Sequence, residues 1–184
     1  MPLGYDIPVT EPNHFSLLMS VYGGDSLTNL RRSVESNTVK QTLPPDQLVI
    51  VRDGAVPANI QNYLDSLREV IQSAFAQQRP NICPPEICIV PLQQNRGLAH
   101  ALNTGLAHCT YEIVARADSD DISLPARFST MIPLFSPDVS ESPDIVGSAI
   151  QELESDKSKP GQIRVLPEQG SKLLRYARKR SPLH

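Results

Sequence analysis

Nowhere does the 184-residue chain approach the run of about eighteen apolar residues that a bilayer-crossing helix needs. The opening MPLGYDIPVTEPNH lacks the basic n-region and apolar h-region of a secretory signal, so residues 1–14 read as a loose leader. Paired Cys-x-x-Cys spacing is absent too. The cysteines, Cys83, Cys88 and Cys109, are odd in number, which argues against a disulfide framework or a cysteine zinc site; plain thiols in a reduced, cytoplasmic setting are expected. Positive charge is scarce: a net charge of −3 with scattered signs gives no general attraction to nucleic acid. Only KLLRYARKR, residues 172–180, is locally basic. It reads as the face of a basic amphipathic helix running from Gly170, with contact at the inner face of a membrane as the second reading. Neither a GxGxxG nor a GxxxxGK[ST] pattern occurs, so a dinucleotide fingerprint and a P-loop are both excluded.

What is present is a succession of short apolar runs alternating with helical patterns. Phe15-Ser16-Leu17-Leu18-Met19-Ser20-Val21 has the length and composition of a strand buried on both faces. Tyr22-Gly23-Gly24-Asp25 breaks it, and Leu27, Leu30 and Val34 then recur at helical spacing. Gln47-Leu48-Val49-Ile50-Val51 is a second buried strand, ending in Arg52-Asp53-Gly54 and followed by an apolar stripe from Ile60 to Phe75 that predicts about four turns of helix. Glu86-Ile87-Cys88-Ile89-Val90 is a third strand. Asn95 is placed to cap a following helix striped by Leu98, Leu102 and Leu106, on whose surface His100 and His108 are expected as solvated side chains. Further on, Phe128, Met131, Ile132 and Phe135 predict a core-facing helix stopped by Pro137. Residues 144–151 predict a strand, 154–161 a turn and 162–166 a returning strand. The prolines, 17 in all, gather at element edges and punctuate the chain. Strands alternating with helices predict an α/β fold with a mostly parallel sheet.

The stretch with the most chemistry is YEIVARADSDDISLPAR, residues 111–127. A short strand, Tyr111-Glu112-Ile113-Val114-Ala115, runs into Asp118-Ser119-Asp120-Asp121 before a helix expected to open at Leu124-Pro125. Carboxylates crowded at the carboxyl end of a strand lie where open α/β sheets bind ligands, and their mutual repulsion calls for a cation or hydrogen-bond donors. A hard divalent ion, Mg²⁺ or Mn²⁺, suits an all-oxygen set. An acidic turn capping a helix is the plainer alternative. A calcium loop counted from Asp118 fails, because Ser123 stands where Gly is wanted and Ser129 where Glu is wanted.

Taken in order, SLLMSVYGG, VIVRDG, NRGLAHALNTGL and IVARADSDDISLPARF resemble the family 2 glycosyltransferases, and the similarity runs from about Phe15 to His184. The resemblance implies a GT-A fold, a three-layer α/β/α sandwich, as a nucleotide-sugar-binding domain over residues 15–184. It also implies transfer of a sugar from a nucleotide-sugar donor such as a UDP-sugar to an acceptor hydroxyl with inversion, in bacterial polysaccharide or lipopolysaccharide synthesis. The acceptor would be a glycan or a lipid-linked group, with peripheral membrane association. In that family an Asp-x-Asp pair meets the ribose and, through a divalent metal, the diphosphate. The match places this on Asp118, Ser119 and Asp120, with Asp120 as the chief metal ligand and Asp118 beside it. Asp53 matches the acid that meets the base, Ser20, Val21 and Tyr22 the backbone flanking the nucleotide, and Asn95, Arg96 and Gly97 the loop closing over the donor. Arg52 departs from the common Asp-Asp-Gly. The family's general base is expected beyond His184, and with it the part of the enzyme that completes catalysis. A nucleotidyltransferase, or a binding module without turnover, is the alternative; against the former, Tyr22-Gly23-Gly24-Asp25-Ser26 has no basic residue.

Overall fold

A computed structural model of the chain describes residues 14–136, 143–152 and 161–165. It divides into two units, Met1–Ser142 and Pro143–His184. The leader and the basic stretch 172–180 lie outside the described residues, as do Pro137 and nearly all of the turn expected over 154–161.

In the first unit the alternation of apolar runs and helical stripes becomes a four-stranded sheet. Its elements are β1 (Phe15–Tyr22), α1 (Leu27–Asn37), β2 (Gln47–Asp53), α2 (Ala58–Asp65), α3 (Leu67–Gln78), β3 (Glu86–Pro91), α4 (Leu98–Leu106), β4 (Ile113–Arg116) and α5 (Arg127–Met131), which continues as a 3₁₀ turn over Ile132–Phe135. The strand order is β3-β2-β1-β4 and every pairing is parallel. Strands β1 and β2 lie between neighbours, and their continuous apolar runs follow from burial on both faces. Leu17, Met19, Val21, Leu48 and Ile50 pack with Leu30, Val34, Ile60, Leu67, Ile71, Phe75 and Phe128 on one face, whereas Leu18, Val49, Val51 and Val90 pack with Ala101 on the other. Helices thus cover both faces, giving three layers. A fully buried side chain such as Leu48 contributes about 1.5–3 kcal/mol through burial alone.

Four local expectations change. The helix expected from Ile60 to Phe75 is two helices, broken at Ser66, whose hydroxyl donates to the carbonyls of Asn62 (3.0 Å) and Tyr63 (3.2 Å). A serine bonded back onto the preceding turn bends a helix, which periodicity alone does not register. Asn95 does not cap α4. Gly97 holds the cap position, with φ 87°, and no side-chain cap bond forms. Nor does α4 bury its whole leucine stripe: Leu98 and Leu106 are 48% and 49% exposed, Leu102 is partly buried against the core, and Ala101 and Gly105 are buried. A β-carbon on Gly105 would stand 2.4 Å from Leu18 Cδ1 and 2.7 Å from Val51 Cγ2, so close approach selected the small residues. Finally, the helix expected at Leu124-Pro125 begins only at Arg127.

In the second unit, β5 (Ile150–Gln151) and β6 (Ile163–Arg164) pair antiparallel, a shorter ladder than the runs 144–151 and 162–166 suggested. The Glu152 N–H donates to the Gln162 carbonyl, and Arg164 forms an ion pair with Glu152.

Candidate nucleotide-sugar site

Parallel strands carry their carboxyl ends to one side. Because β1 lies between β2 and β4, Asp53 at the end of β2 and the acidic loop after β4 flank the end of β1. Tyr22 is the register partner of Asp53, and the Ala117 N–H continues the β4 ladder onto the Leu18 carbonyl at 3.1 Å. The predicted residues therefore gather at one end of the sheet in two groups.

The first group forms around Asp53, which is 2% exposed. Its carboxylate accepts the backbone N–H of Arg96 at 2.8 Å and of Gly97 at 2.9 Å, tying strand β2 to the loop that opens α4. Gly54 makes the contact possible: its φ is 81°, and a β-carbon there would lie 2.5 Å from the Asn95 nitrogen. Asn95 Oδ1 also accepts the Gly97 N–H (3.1 Å), so its short side chain shapes the loop instead of capping the helix. Arg96 and Asn95 are exposed, with Arg96 Nη1 3.4 Å from His100 Nε2. Arg52 turns to the other face and donates to Gln61 Oε1 at 2.7 Å, while its buried Nε has no hydrogen-bond partner among the described residues. Ser20 is half-buried, Val21 buried and Tyr22 exposed at the strand end.

The second group is the acidic loop. Asp118 is already paired, accepting two contacts from Arg116 Nη2 at 2.7 and 3.0 Å, so part of the repulsion read from the sequence is offset by a neighbouring guanidinium. Ser119 is buried and Asp120 exposed, and among the described residues no hydrogen-bond donor or cation reaches the Asp120 carboxylate. A fourth acid joins them that sequence reasoning missed. Asp25 Oδ2 accepts the Tyr22 N–H at 2.9 Å. Burial raises its pKa above the ordinary carboxylate value, and the charges of Asp120 and Asp118 push the same way, against the lowering effect of that hydrogen bond and of the Ser119 side chain, which lies near enough to act. The available signal was an Asp three residues after a strand end, in a Gly-Gly turn where it can bond back to the backbone.

Whether these residues suit a divalent ion can be tested on the donor set. No group of three or more His, Cys, Asp or Glu among the described residues is arranged to enclose a metal. Mg²⁺ is commonly held by one or two carboxylates, several waters and the phosphates of a substrate, an arrangement that needs no cage. Asp120, which no donor reaches among the described residues, stands two positions from Asp118 and fits that mode.

Residues 16–141 match the family described as Glycosyl transferase family 2, and the chain belongs to that family. It is 34% identical over 170 residues to the amylovoran biosynthesis glycosyltransferase AmsE of Erwinia amylovora, covering 92% of this chain and 57% of that protein. It is 32% identical over 170 residues to the UDP-Gal:alpha-D-GlcNAc-diphosphoundecaprenol beta-1,3-galactosyltransferase of Escherichia coli, covering 92% and 55%. The chain thus spans little more than half the length of these relatives. Among solved structures it is similar to the mannosyltransferase PcManGT from Pyrobaculum calidifontis in complex with GDP-Man and Mn²⁺, with 23% identity, a TM-score of 0.49, and coverage of 70% of this chain and 34% of that one. No helix among the described residues is long and apolar enough to cross a membrane.

Proposed function

We propose that this chain is the donor-binding part of an inverting glycosyltransferase, with residues 15–184 as its nucleotide-sugar-binding domain. It would transfer a sugar from a nucleotide sugar to an acceptor hydroxyl in bacterial polysaccharide or lipopolysaccharide synthesis. The observation that carries this reading is the pairing, at one end of a parallel sheet, of a buried carboxylate fixed to a backbone loop with an exposed Asp120 that no donor reaches among the described residues, two positions from Asp118. Family membership supports the reaction class. The names of the two relatives support a polysaccharide product and a lipid-linked acceptor, which would bring the protein to the inner face of a membrane peripherally.

In this reading Asp53, with Ser20, Val21 and Tyr22, meets the base and ribose. Asn95, Arg96 and Gly97 close over the donor. Asp120 and Asp118, with Ser119 between them, hold Mg²⁺ or Mn²⁺ against the diphosphate. The ion, when bound, supplies positive charge where the leaving diphosphate gathers negative charge. The chain's own part is orientation: Arg116 fixes the Asp118 carboxylate, and the Arg96 and Gly97 amides fix Asp53. No residue of the chain is assigned as general base. A thermal-shift panel of UDP-, GDP- and dTDP-sugars, each with and without Mn²⁺, tests the proposal, because a ligand that binds only the native state raises the melting temperature by mass action. One nucleotide series should stand out, and only with Mn²⁺; no shift with any of them would overturn it.

A further inference from the structure

We propose that Asn37, on helix α1 and remote in sequence from the acidic loop, is a positioning residue for that loop, acting through Ser123 and Arg127. Ser33, Ser36 and Asn37 stand at i, i+3 and i+4 and so share one helix face. That face is buried, with Ser33 and Asn37 at 0% exposure and Ser36 at 4%. Where an apolar stripe would serve packing, the helix presents polar groups, and each is spent on the acidic loop. Ser33 Oγ donates to the Asp118 carbonyl (2.8 Å), and Ser36 Oγ accepts the Ser123 N–H (3.1 Å). Asn37 Oδ1 accepts from Ser123 Oγ at 2.7 Å and from Arg127 Nη1 at 3.3 Å, while its Nδ2 donates to the Ser33 carbonyl at 2.9 Å. Arg127 completes the circuit. It donates to Ser123 Oγ (2.9 Å) and to the carbonyl of Arg116 (2.8 Å), the residue that holds Asp118. Partial burial lowers the Arg127 pKa, and the charges of Asp121 and Asp118 counter it, so the half-buried guanidinium lies within reach of the loop's charge.

Such a network is a poor way to gain stability. Hydrogen bonds contribute little net, replacing both partners by apolar groups of the same shape can be nearly neutral, and the buried Arg127 Nε has no hydrogen-bond partner among the described residues. What the network supplies is one geometry: the loop is gripped at Asp118, Ser123 and Arg127, on both sides of Asp120, and Asp120 itself is exposed, with no hydrogen bond to its carboxylate among the described residues. This inference deepens the proposed function and rests on it for the ligand.

The experiment compares wild type, Asn37→Leu and Ser123→Ala by amide hydrogen exchange and by titration with UDP in Mn²⁺ and in EDTA. Exchange over residues 118–124 should quicken in both variants while that of β2 and β3 stays unchanged. The Mn²⁺-dependent part of UDP affinity should fall by about 10–100-fold in Asn37→Leu and less in Ser123→Ala, the cost typical of losing a group that orients a metal ligand. Affinity in EDTA should not move, which separates positioning from general destabilisation. Unchanged loop exchange in a folded variant, or an equal loss of affinity with and without Mn²⁺, would overturn the inference. If Asn37→Leu does not fold, Ser123→Ala, which removes one half-buried hydroxyl, decides by the same two readings. A wild type whose UDP binding ignores Mn²⁺ would refute the metal reading instead, and the exchange result alone would then decide whether Asn37 holds the loop.

Discussion

Asp25 shows what single residues contribute that a motif does not disclose. The Asp118-Ser119-Asp120-Asp121 run was legible because its acids are adjacent in sequence, whereas Asp25 reaches Ser119 only once β1 and β4 lie side by side. Its role has a pH signature. Asp25 titrates above its ordinary value of 3.8 in the folded chain, so the folded state binds this proton more tightly than the unfolded state does. The stability it contributes is complete below that ordinary value and is lost as pH rises through the folded one. Asp25→Asn keeps an acceptor for the Tyr22 N–H while removing the charge. It should therefore melt higher than wild type at neutral pH, with the difference disappearing in acid; thermal melts across pH 3–7 check this (roughly the span over which carboxylates titrate). Gly54 gives a second residue-scale test. With φ at 81° and the Asn95 nitrogen 2.5 Å from a would-be β-carbon, Gly54→Ala should cost about 1–3 kcal/mol in denaturant unfolding and loosen the loop at Arg96 and Gly97.

At the scale of elements, strands were read more securely than helix faces. β1, β2 and β3 fall within two residues of their expected ends, because an apolar run short enough for a strand and bounded by turns has few other places to go. Helix α4 was misread for a physical reason. Leu98 and Leu106 point away from the sheet because the closest approach to β1 and β2 is set by distance: Ala101 and Gly105 fit there, with Leu102 packed partly buried beside them. Gly105→Val should push α4 off Leu18 and Val51 and cost about 1–3 kcal/mol, the usual range for overpacking, whereas Leu106→Ser on the exposed side should cost within about 0.5 kcal/mol; urea unfolding of the two variants compares them directly. In α1 the stripe Leu27, Leu30 and Val34 was legible, but nothing in the pattern pointed to Ser33, Ser36 and Asn37, whose burial depends on the acidic loop that is remote in sequence.

Across the whole molecule, the parallel sheet and the position of the acids at its carboxyl edge followed from the order of strand, helix and Asp-rich loop, since parallel strands joined by helices leave one common edge for ligands. The hairpin of the second unit was legible only as two strands and a turn, because so short a ladder carries little pattern. What the sequence could not disclose is how the loop's charge is shared: Arg116 takes Asp118, Arg127 lies half-buried beside the loop, and among the described residues no donor reaches the Asp120 carboxylate, which we propose serves the ligand. That division is the central claim, and calorimetric titration with UDP tests it most directly. UDP should bind wild type at least about tenfold more tightly with Mn²⁺ than with EDTA, a difference of about 1.4 kcal/mol, and Asp120→Ala should abolish that difference while melting normally. Equal UDP affinity with Mn²⁺ and with EDTA in the wild type, or an undiminished metal effect in Asp120→Ala, would contradict it.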